Sequence, residues 1–231
     1  MENKRTLEQM IQIREQVKNA FCYKHGGKMF GIVSISTSPL LNPYCKARRE
    51  KAEKEGVDCI CLRCFSIAGL EYKQNNQPKL ARNTELLTTV KLEQSEIPLV
   101  DSASGYLRFE SFGDLINTTQ VKNYFNIALK NSHLKAALWT KNPGIIRKAI
   151  KEGAIKPANL TIVYSSPIVG TPAAYESILR LFPFIDKVFT VYTKKQSADL
   201  NIDINCGARS CATCGRCYEN KGGAFVNELL K

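Results

Sequence analysis

The order of apolar and polar positions predicts a chain of alternating helices and strands. Residues 6–21 carry apolar side chains at helical spacing, and Thr6 and Gln9 have the spacing of a capping box at the start of a helix. An apolar run at 30–36 predicts the first strand. Further apolar runs predict strands at 106–110, 136–140, 160–164 and 187–192, with helical patterns between them at 121–129, 143–152 and 172–181.

This alternation also predicts how the elements are joined. Strands that alternate with helices of this length form right-handed βαβ units and a parallel sheet. About five or six strands are too few for a closed eight-stranded barrel. The predicted fold class is therefore α/β, either a partial (β/α) barrel or an open parallel sheet. We expect residues 1–195 to form this domain, and residues 196–231 to follow the last strand as a cysteine-rich segment that binds a metal or a cluster.

The first half of the chain is less regular. Residues 46–57 are dense in charge and helix-prone, which indicates a solvated insertion. Residues 73–83 are polar and predict a loop, with Asn83 as the cap of a short helix that follows it.

Composition narrows the cellular setting and the partners. No apolar stretch among the 231 residues is long enough to cross a bilayer, and no apolar signal segment opens the chain, so we expect a cytoplasmic protein without a membrane partner. The net charge of +12 attracts anions such as nucleic acid, phosphates or an acidic partner. A solvated, lysine-rich surface is the alternative explanation of this charge.

The grouping of the cysteines is the strongest functional signal in the sequence. Eight of the nine cysteines form two groups, Cys45, Cys59, Cys61 and Cys64 near the N-terminus and Cys206, Cys211, Cys214 and Cys217 near the C-terminus. Disulfides fit poorly, because the chain is long enough for a core of its own and thiols stay reduced in the cytoplasm. Closely spaced C-x2-C pairs suit a ligand knuckle around a metal. Each group is therefore predicted to bind a metal or a cluster.

The spacing favours iron–sulfur clusters over zinc. Zinc ribbons place two C-x2-C knuckles on either side of a longer loop, whereas the C-terminal group is a C-x4-C-x2-C-x2-C run. Closely spaced ligands in one loop suit a four-iron cubane. We predict two [4Fe-4S] clusters, with zinc as the alternative. If only three cysteines of the N-terminal group bind a cluster, one iron stays open to a small molecule.

Polar residues follow the second predicted strand, where a parallel sheet binds its ligands. These candidate cofactor-binding residues are Glu110, Ser111, Gly113 and Asp114. Glu110 and Asp114 flank Gly113 and could hold the ammonium group or a ribose hydroxyl of a small-molecule cofactor. The alternative is that Asp114 caps the next turn and Glu110 pairs with Arg108 or a lysine.

Four blocks of the sequence resemble the phage gene-product-88 family. They are residues 42–45 with 61–65, the Arg-Phe-Glu-Ser-Phe-Gly-Asp run at 108–114, residues 137–141, and residues 205–218. The resemblance covers most of the chain from residue 30 to residue 218. It implies an origin in a phage, a prophage or a plasmid, and it brings little function with it.

More distantly, the layout is similar to that of radical S-adenosylmethionine enzymes. Those enzymes place a three-cysteine loop after the first strand of a partial β/α barrel and a Gly-Gly-Glu-type motif after the second. The resemblance implies that Cys45, Cys61 and Cys64 hold the reactive cluster, that residues 111–114 hold the methionine amino group, and that the C-terminal group holds an auxiliary cluster. The chain departs from that pattern in the fifteen residues between Cys45 and Cys61 and in its Phe-Gly-Asp motif.

Three functions follow from these patterns. The leading hypothesis is an iron–sulfur enzyme that cleaves S-adenosylmethionine and takes its electrons from a donor. The second is a zinc-stapled, basic nucleic-acid-binding module, for which Arg147, Lys148 and Lys151 offer a phosphate-binding face. The third is a non-catalytic redox or structural iron–sulfur protein.

Overall fold

The computed structural model of the chain describes residues 5–72, 74–171, 174–219 and 222–230. Within these ranges, six strands form one sheet in which every neighbouring pair is parallel and the strand order follows the chain. The strands are β1 (Val33–Ile35), β2 (Tyr106–Phe109), β3 (Lys135–Thr140), β4 (Leu160–Ser165), β5 (Lys187–Tyr192) and β6 (Phe225–Leu229). The predicted open parallel sheet is confirmed, and each of the five apolar runs forms one of its strands.

Helices make the connections between the strands. They are α1 (Leu7–Ala20), α2 (Pro43–Glu55), α3 (Phe65–Tyr72), α4 (Gln77–Thr89), α5 (Thr118–Lys130), α6 (Pro143–Lys151), α7 (Ala174–Leu181), α8 (Lys194–Asp199) and α9 (Cys211–Cys214). The capping box predicted at Thr6 and Gln9 begins α1. The helix predicted over 172–181 is α7, and its first two predicted residues, Pro172 and Ala173, lie outside the described ranges.

The sheet buries both of its faces, and side chains alternate between them. Leu107 and Phe109 of β2 lie in the main core with apolar residues of α1, α4, α5 and α6. Right-handed crossovers in a sheet of sequential strand order place the connecting helices on one face, which explains this core. The opposite face, called the second face below, carries two smaller apolar clusters built around Ile32, Tyr106, Ala137 and Tyr218 and around Val163, Phe189, Val191 and Val226.

The end of the chain belongs to the sheet. The prediction that the C-terminal cysteine group follows the last strand was wrong, because β6 comes after Cys217 and pairs in parallel with β5. The short apolar run 225–229 shows too little periodicity to separate it from a tail. Its pairing with β5 therefore depends on the tertiary structure.

The polar stretch after α3 is also different from the prediction. The loop expected over 73–83 was wrong for most of its length, since α4 begins at Gln77; Lys73 lies outside the described ranges. Asn83 is not a helix cap but a buried residue inside α4. Its side-chain amide donates to the carbonyls of Ala20 at 3.2 Å and Ser36 at 2.9 Å. The charge-dense segment 46–57 is helical through Glu55, as its helix-prone composition predicted.

No helix in the described part of the chain combines the length and the apolarity that crossing a membrane requires.

Replacement of Asn83 by alanine should destabilise the fold. The substitution leaves two carbonyls, one in α1 and one after β1, without their donor, and an unsatisfied buried acceptor costs about 1–3 kcal/mol. Urea unfolding under reducing conditions should show a loss of this size in N83A and a change of less than about 0.5 kcal/mol in R82A, which alters an exposed residue of the same helix. Equal stabilities of the two variants would contradict the assigned role of Asn83.

Candidate metal and cofactor site

Cysteines from both groups line one cavity of about 530 Å³ on the second face of the sheet. The cysteines that line it are Cys45, Cys61, Cys64, Cys206, Cys211, Cys214 and Cys217. The candidate cofactor-binding residues Glu110, Ser111, Gly113 and Asp114 line it as well. The fold thus brings together segments that are more than a hundred residues apart in sequence. Cys59 is the one predicted site residue that is not part of this lining.

Local structure explains how Cys45 reaches the cavity. Asn42 caps α2, and its side-chain oxygen accepts from the backbone N–H groups of Tyr44 at 2.9 Å and Cys45 at 3.4 Å. Its side-chain amide donates to the carbonyl of Asp114 at 2.7 Å. The Tyr44 hydroxyl donates to the carbonyl of Lys141 at 2.6 Å. These bonds attach the first turn of α2, with Cys45, to the loops that follow β2 and β3.

The other N-terminal cysteines lie around a short 3₁₀ turn at Ile60–Arg63. Cys61 is within this turn, and Cys64 directly follows it. Cys59 pairs with Ile168 in an isolated antiparallel bridge and is only 1% exposed. The bridge fixes the turn against the loop after β4. Cys61 and Cys64 line the cavity and Cys59 does not, although the Cys59 thiol lies close enough to Cys61 to raise its pKa.

The thiols of Cys45, Cys61 and Cys64 are half-buried and lie close to one another. Burial raises the pKa of Cys45 well above its ordinary value and that of Cys61 to about 12, whereas the charge of Lys141 lowers the pKa of both. The thiols of Cys61 and Cys64 in turn raise the pKa of Cys45. Without a bound cation the thiols of Cys45 and Cys61 are therefore protonated at neutral pH.

The C-terminal group is held against the second face. The backbone N–H of Cys206 donates to the carbonyl of Asn227 in β6 at 2.9 Å, and the Ser210 side chain caps α9. The Tyr218 ring stacks on Tyr106 of β2 with 4.5 Å between centroids. Contacts with β2 and with β6 thus hold the C-terminal cysteine loop in position.

Positive charge accompanies the buried thiols of this group. Burial raises the pKa of Cys211 and raises that of Cys217 to about 12, and the guanidinium of Arg108 lowers the pKa of both thiols. Lys28 has the same lowering effect on the pKa of Cys206, which burial raises. Lys28 also forms an ion pair with Glu228 at 3.1 Å.

Three polar groups of the cavity wall are buried without a hydrogen-bond partner among the residues of the described ranges. They are Arg108 Nε, Trp139 Nε1 and the Tyr218 hydroxyl. Buried donors are normally paired, and each unpaired one costs free energy. The wall is therefore suited to a ligand that accepts hydrogen bonds.

The donor set fits a thiolate-bound anionic centre. In the part of the chain that the structure describes, no three His, Cys, Asp or Glu side chains are already arranged to hold a metal ion. Within each group, however, the sulfurs lie near enough to change one another's pKa. Burial, adjacent cations and unpaired donors all suit four thiolates around a metal or cluster, whose binding releases the thiol protons.

Glu110 joins the ends of the first two strands to α5. Its carboxylate accepts from the Thr37 hydroxyl at 3.0 Å and from the Thr37 N–H at 3.2 Å. It also accepts from Gln120 Nε2 at 2.7 Å and from the Tyr124 hydroxyl. Glu110 is 4% exposed and has a φ of 57°, an unfavourable backbone conformation that these bonds hold in place. It does not pair with Arg108.

Asp114 joins the second strand end to the third. Its carboxylate accepts from the Thr140 hydroxyl at 2.5 Å, from the N–H of Lys141 at 2.8 Å and from the N–H of Leu115 at 2.7 Å. The bond to Leu115 reaches only the next residue, and the helix that follows, α5, is capped by Asn117 and not by Asp114. Its binding of an ammonium group or a ribose stays a prediction, as it does for Glu110.

Ser111 and Gly113 complete this loop. The N–H of Ser111 donates to the Ser36 hydroxyl at 3.0 Å. Gly113 has a φ of +80°, and a Cβ placed on it would lie 2.6 Å from the carbonyl oxygen of Thr37. The close approach of the two loops therefore requires glycine here.

Sequence reasoning missed Arg108, Trp139 and Lys141 as site residues. A signal existed for Arg108, because a charged residue between two apolar ones in a strand of a sheet with two buried faces must enter the second face. The run 139–142 was expected at the carboxyl edge of the sheet, where ligands bind, but nothing singled out Trp139 or Lys141 within it, since the position of each side chain depends on the register of β3.

Comparison of the chain with protein-family models, with curated proteins and with solved structures finds no match.

Replacement of Gly113 by alanine should destabilise the protein more than the same change at Gly31. Both glycines have nearly the same φ, +80° and +81°, but a Cβ on Gly31 meets no atom within 4 Å. The backbone strain, roughly 1–2 kcal/mol, is thus common to both variants, and the contact with Thr37 is specific to G113A. Chemical unfolding of the two variants should differ by at least about 1 kcal/mol. Equal losses would show that the two loops can separate without cost.

Replacement of Glu110 by glutamine should reduce the pH dependence of stability. Burial raises the pKa of Glu110 from 4.5 to about 8, so the folded protein keeps a proton that the unfolded chain has lost. The free energy of unfolding therefore falls as the pH rises from about 4.5 to about 8, and it levels off above that range. Urea unfolding across this window should give a smaller slope for E110Q than for the unmodified protein. The exposed control E85Q should keep the original slope, and a slope unchanged in E110Q would refute the protonated state.

Proposed function

We propose that this chain is an iron–sulfur protein of a phage or other mobile element with two [4Fe-4S] centres, one reactive and one auxiliary. The single observation that supports this most is that the two cysteine groups, far apart in sequence, line the same cavity. Two metal sites with purely structural roles would not have to line the same cavity. A shared one allows both centres to act on one bound molecule.

The N-terminal group would hold the reactive centre through three residues, Cys45, Cys61 and Cys64. Support comes from Cys59, which is buried at the bridge to Ile168 and does not line the cavity, although its thiol adjoins that of Cys61. A cluster with three protein ligands keeps one iron open. When bound and reduced, such a cluster supplies one electron to a molecule held at that iron, and in the enzymes that the chain resembles this molecule is S-adenosylmethionine.

The order of the motifs along the sheet also supports this proposal. Cys45, Cys61 and Cys64 come after β1, and residues 110–114 come directly after β2, as the resemblance to radical S-adenosylmethionine enzymes implies. We assign Glu110 and Asp114 a positioning role, because their hydrogen bonds keep the loops after the first three strands together. Ser111 and the rest of this loop would then present the polar edge on which the methionine part rests.

The C-terminal group would hold the auxiliary centre through Cys206, Cys211, Cys214 and Cys217. Tyr106, the first residue of β2, stacks on Tyr218 beside this group, and Glu110, which directly follows β2, lines the cavity together with the N-terminal group. Four residues of a strand span roughly 13 Å. The two centres would thus be close enough to serve one substrate or to exchange an electron with a donor protein.

Anaerobic reconstitution tests the two-centre proposal. The unmodified chain should bind about eight irons, and C61S and C206S should each bind about four, because each variant disables one centre. C22S is the matched control, since Cys22 lies outside both groups, and it should bind the full amount. With dithionite and S-adenosylmethionine, the unmodified chain should release 5′-deoxyadenosine and C61S should release none.

Three results would contradict the proposal of a two-centre enzyme. Zinc in place of iron, together with salt-sensitive DNA binding, would support the nucleic-acid-binding alternative. A full complement of iron without 5′-deoxyadenosine would support a redox or structural role. Loss of all iron in C61S alone would show that the C-terminal group holds no centre.

A further inference from the structure

We propose that Arg108, stacked on Trp139 and next to Tyr218, is the positive counter-charge and hydrogen-bond donor of the C-terminal centre. The inference rests on the proposed function in one respect only, that an anionic thiolate centre forms at this group. It assigns Arg108 as a positioning residue that stabilises the centre and raises its midpoint potential.

The first step of the argument is the place of Arg108 in the sheet. It lies between Leu107 and Phe109, which belong to the helix-side core, so its side chain enters the second face. Its guanidinium carbon lies 4.2 Å from the centroid of the Trp139 ring. Stacking on Trp139 holds the planar guanidinium in one orientation and leaves its edge, with the N–H donors, for a ligand.

The second step is the lack of a protein acceptor. Arg108 forms no ion pair with the acidic residues that the structure describes, and its buried Nε has no hydrogen-bond partner there. The Tyr218 hydroxyl, in a residue only 4% exposed, is equally unpaired. Arg108 is half-buried, but buried donor atoms that lack acceptors are costly, so a folded protein that keeps a cation and such donors together indicates an anion between them.

The third step identifies the anion. Cys211 and Cys217 pack, like Trp139, against the apolar cluster that contains Tyr218, and both cysteines line the same cavity as Arg108. A centre with four thiolates carries a net charge of roughly −2, whether it holds Zn²⁺ or an oxidised four-iron cluster. Its sulfur atoms are hydrogen-bond acceptors. They supply both the charge and the acceptors that Arg108 lacks.

A small anionic molecule in the cavity is the competing ligand for this arginine. The C-terminal centre is favoured because Tyr218, whose hydroxyl is unpaired, directly follows Cys217 in the chain. A freely exchanging molecule would not need a donor on the metal-binding loop itself.

The test compares R108M, R108K and R147M in the full chain. R147M is a matched control, because Arg147 also lies over an aromatic ring, 5.0 Å from the centroid of Phe182, and is exposed on α6. Each variant also carries Cys45, Cys61 and Cys64 replaced by serine, so that only the C-terminal group binds metal. Circular dichroism and thermal unfolding confirm that each variant folds.

The first readout is affinity for Co²⁺, followed by its thiolate absorption in competition with a chelator. R108M should bind roughly tenfold to a hundredfold more weakly than the parent, the usual loss when a residue that supports metal ligands is removed. R108K, which restores the charge without the planar donor fork, should recover part of the affinity. R147M should match the parent.

The second readout is the midpoint potential of the reconstituted iron centre. A positive charge stabilises the more negative reduced state, so R108M should have a lower potential than the parent and R108K an intermediate one. If R108M binds Co²⁺ and takes up an electron as the parent does, Arg108 serves another ligand; the inference is then overturned and the C-terminal centre of the proposed function stands. If the parent itself binds neither cobalt nor iron, the proposed function fails, and the inference fails with it.

Discussion

The need to cover both faces of a parallel sheet is the constraint on which this structure depends. Strands in sequential order with right-handed crossovers place the connecting helices on one face, where Leu107, Phe109 and Leu138 meet them. The second face carries two smaller apolar clusters and has to be covered by something else. Both cysteine groups belong to the segments that cover it. The same burial that completes the sheet therefore brings the thiols of distant segments around one cavity.

Burial also decides the chemistry of this cavity. Thiols removed from water stay protonated, a buried carboxyl group such as that of Glu110 needs several hydrogen-bond partners, and a guanidinium such as that of Arg108 needs an acceptor. Glu110 and Asp114 satisfy their needs within the protein, and in doing so they join the ends of three strands. Arg108, Trp139 and Tyr218 retain unpaired atoms. The wall around Glu110 and Asp114 thus has its hydrogen bonds satisfied within the protein. The wall around Arg108, Trp139 and Tyr218 has donors left for a ligand.

The sequence predictions are correct where neighbouring residues specify the structure and wrong where contacts between residues distant in the chain specify it. Strands β2 to β5 and the helices between them were predictable because local periodicity specifies them. The helix over 77–83 was not predictable from local pattern. It is stabilised by tertiary contacts, because Asn83 donates to carbonyls of α1 and of the loop after β1. Strand β6 was missed for the same reason, as only pairing with β5 makes residues 225–229 extended. The spacing of the cysteines identified seven of the residues that line the cavity.

The sequence by itself determined the α/β class, the alternation of helices and strands, and which side chains could ligate a metal, because each is a matter of local pattern or of residue chemistry. Only the tertiary structure decided that the two cysteine groups line a common cavity, that Cys59 lies outside it, and that Arg108 stacks on Trp139. These arrangements depend on strand register and on contacts between residues far apart in the chain. Such contacts produce no periodic pattern of apolar residues in the sequence, because they form, and stabilise the protein, only when the sheet has folded.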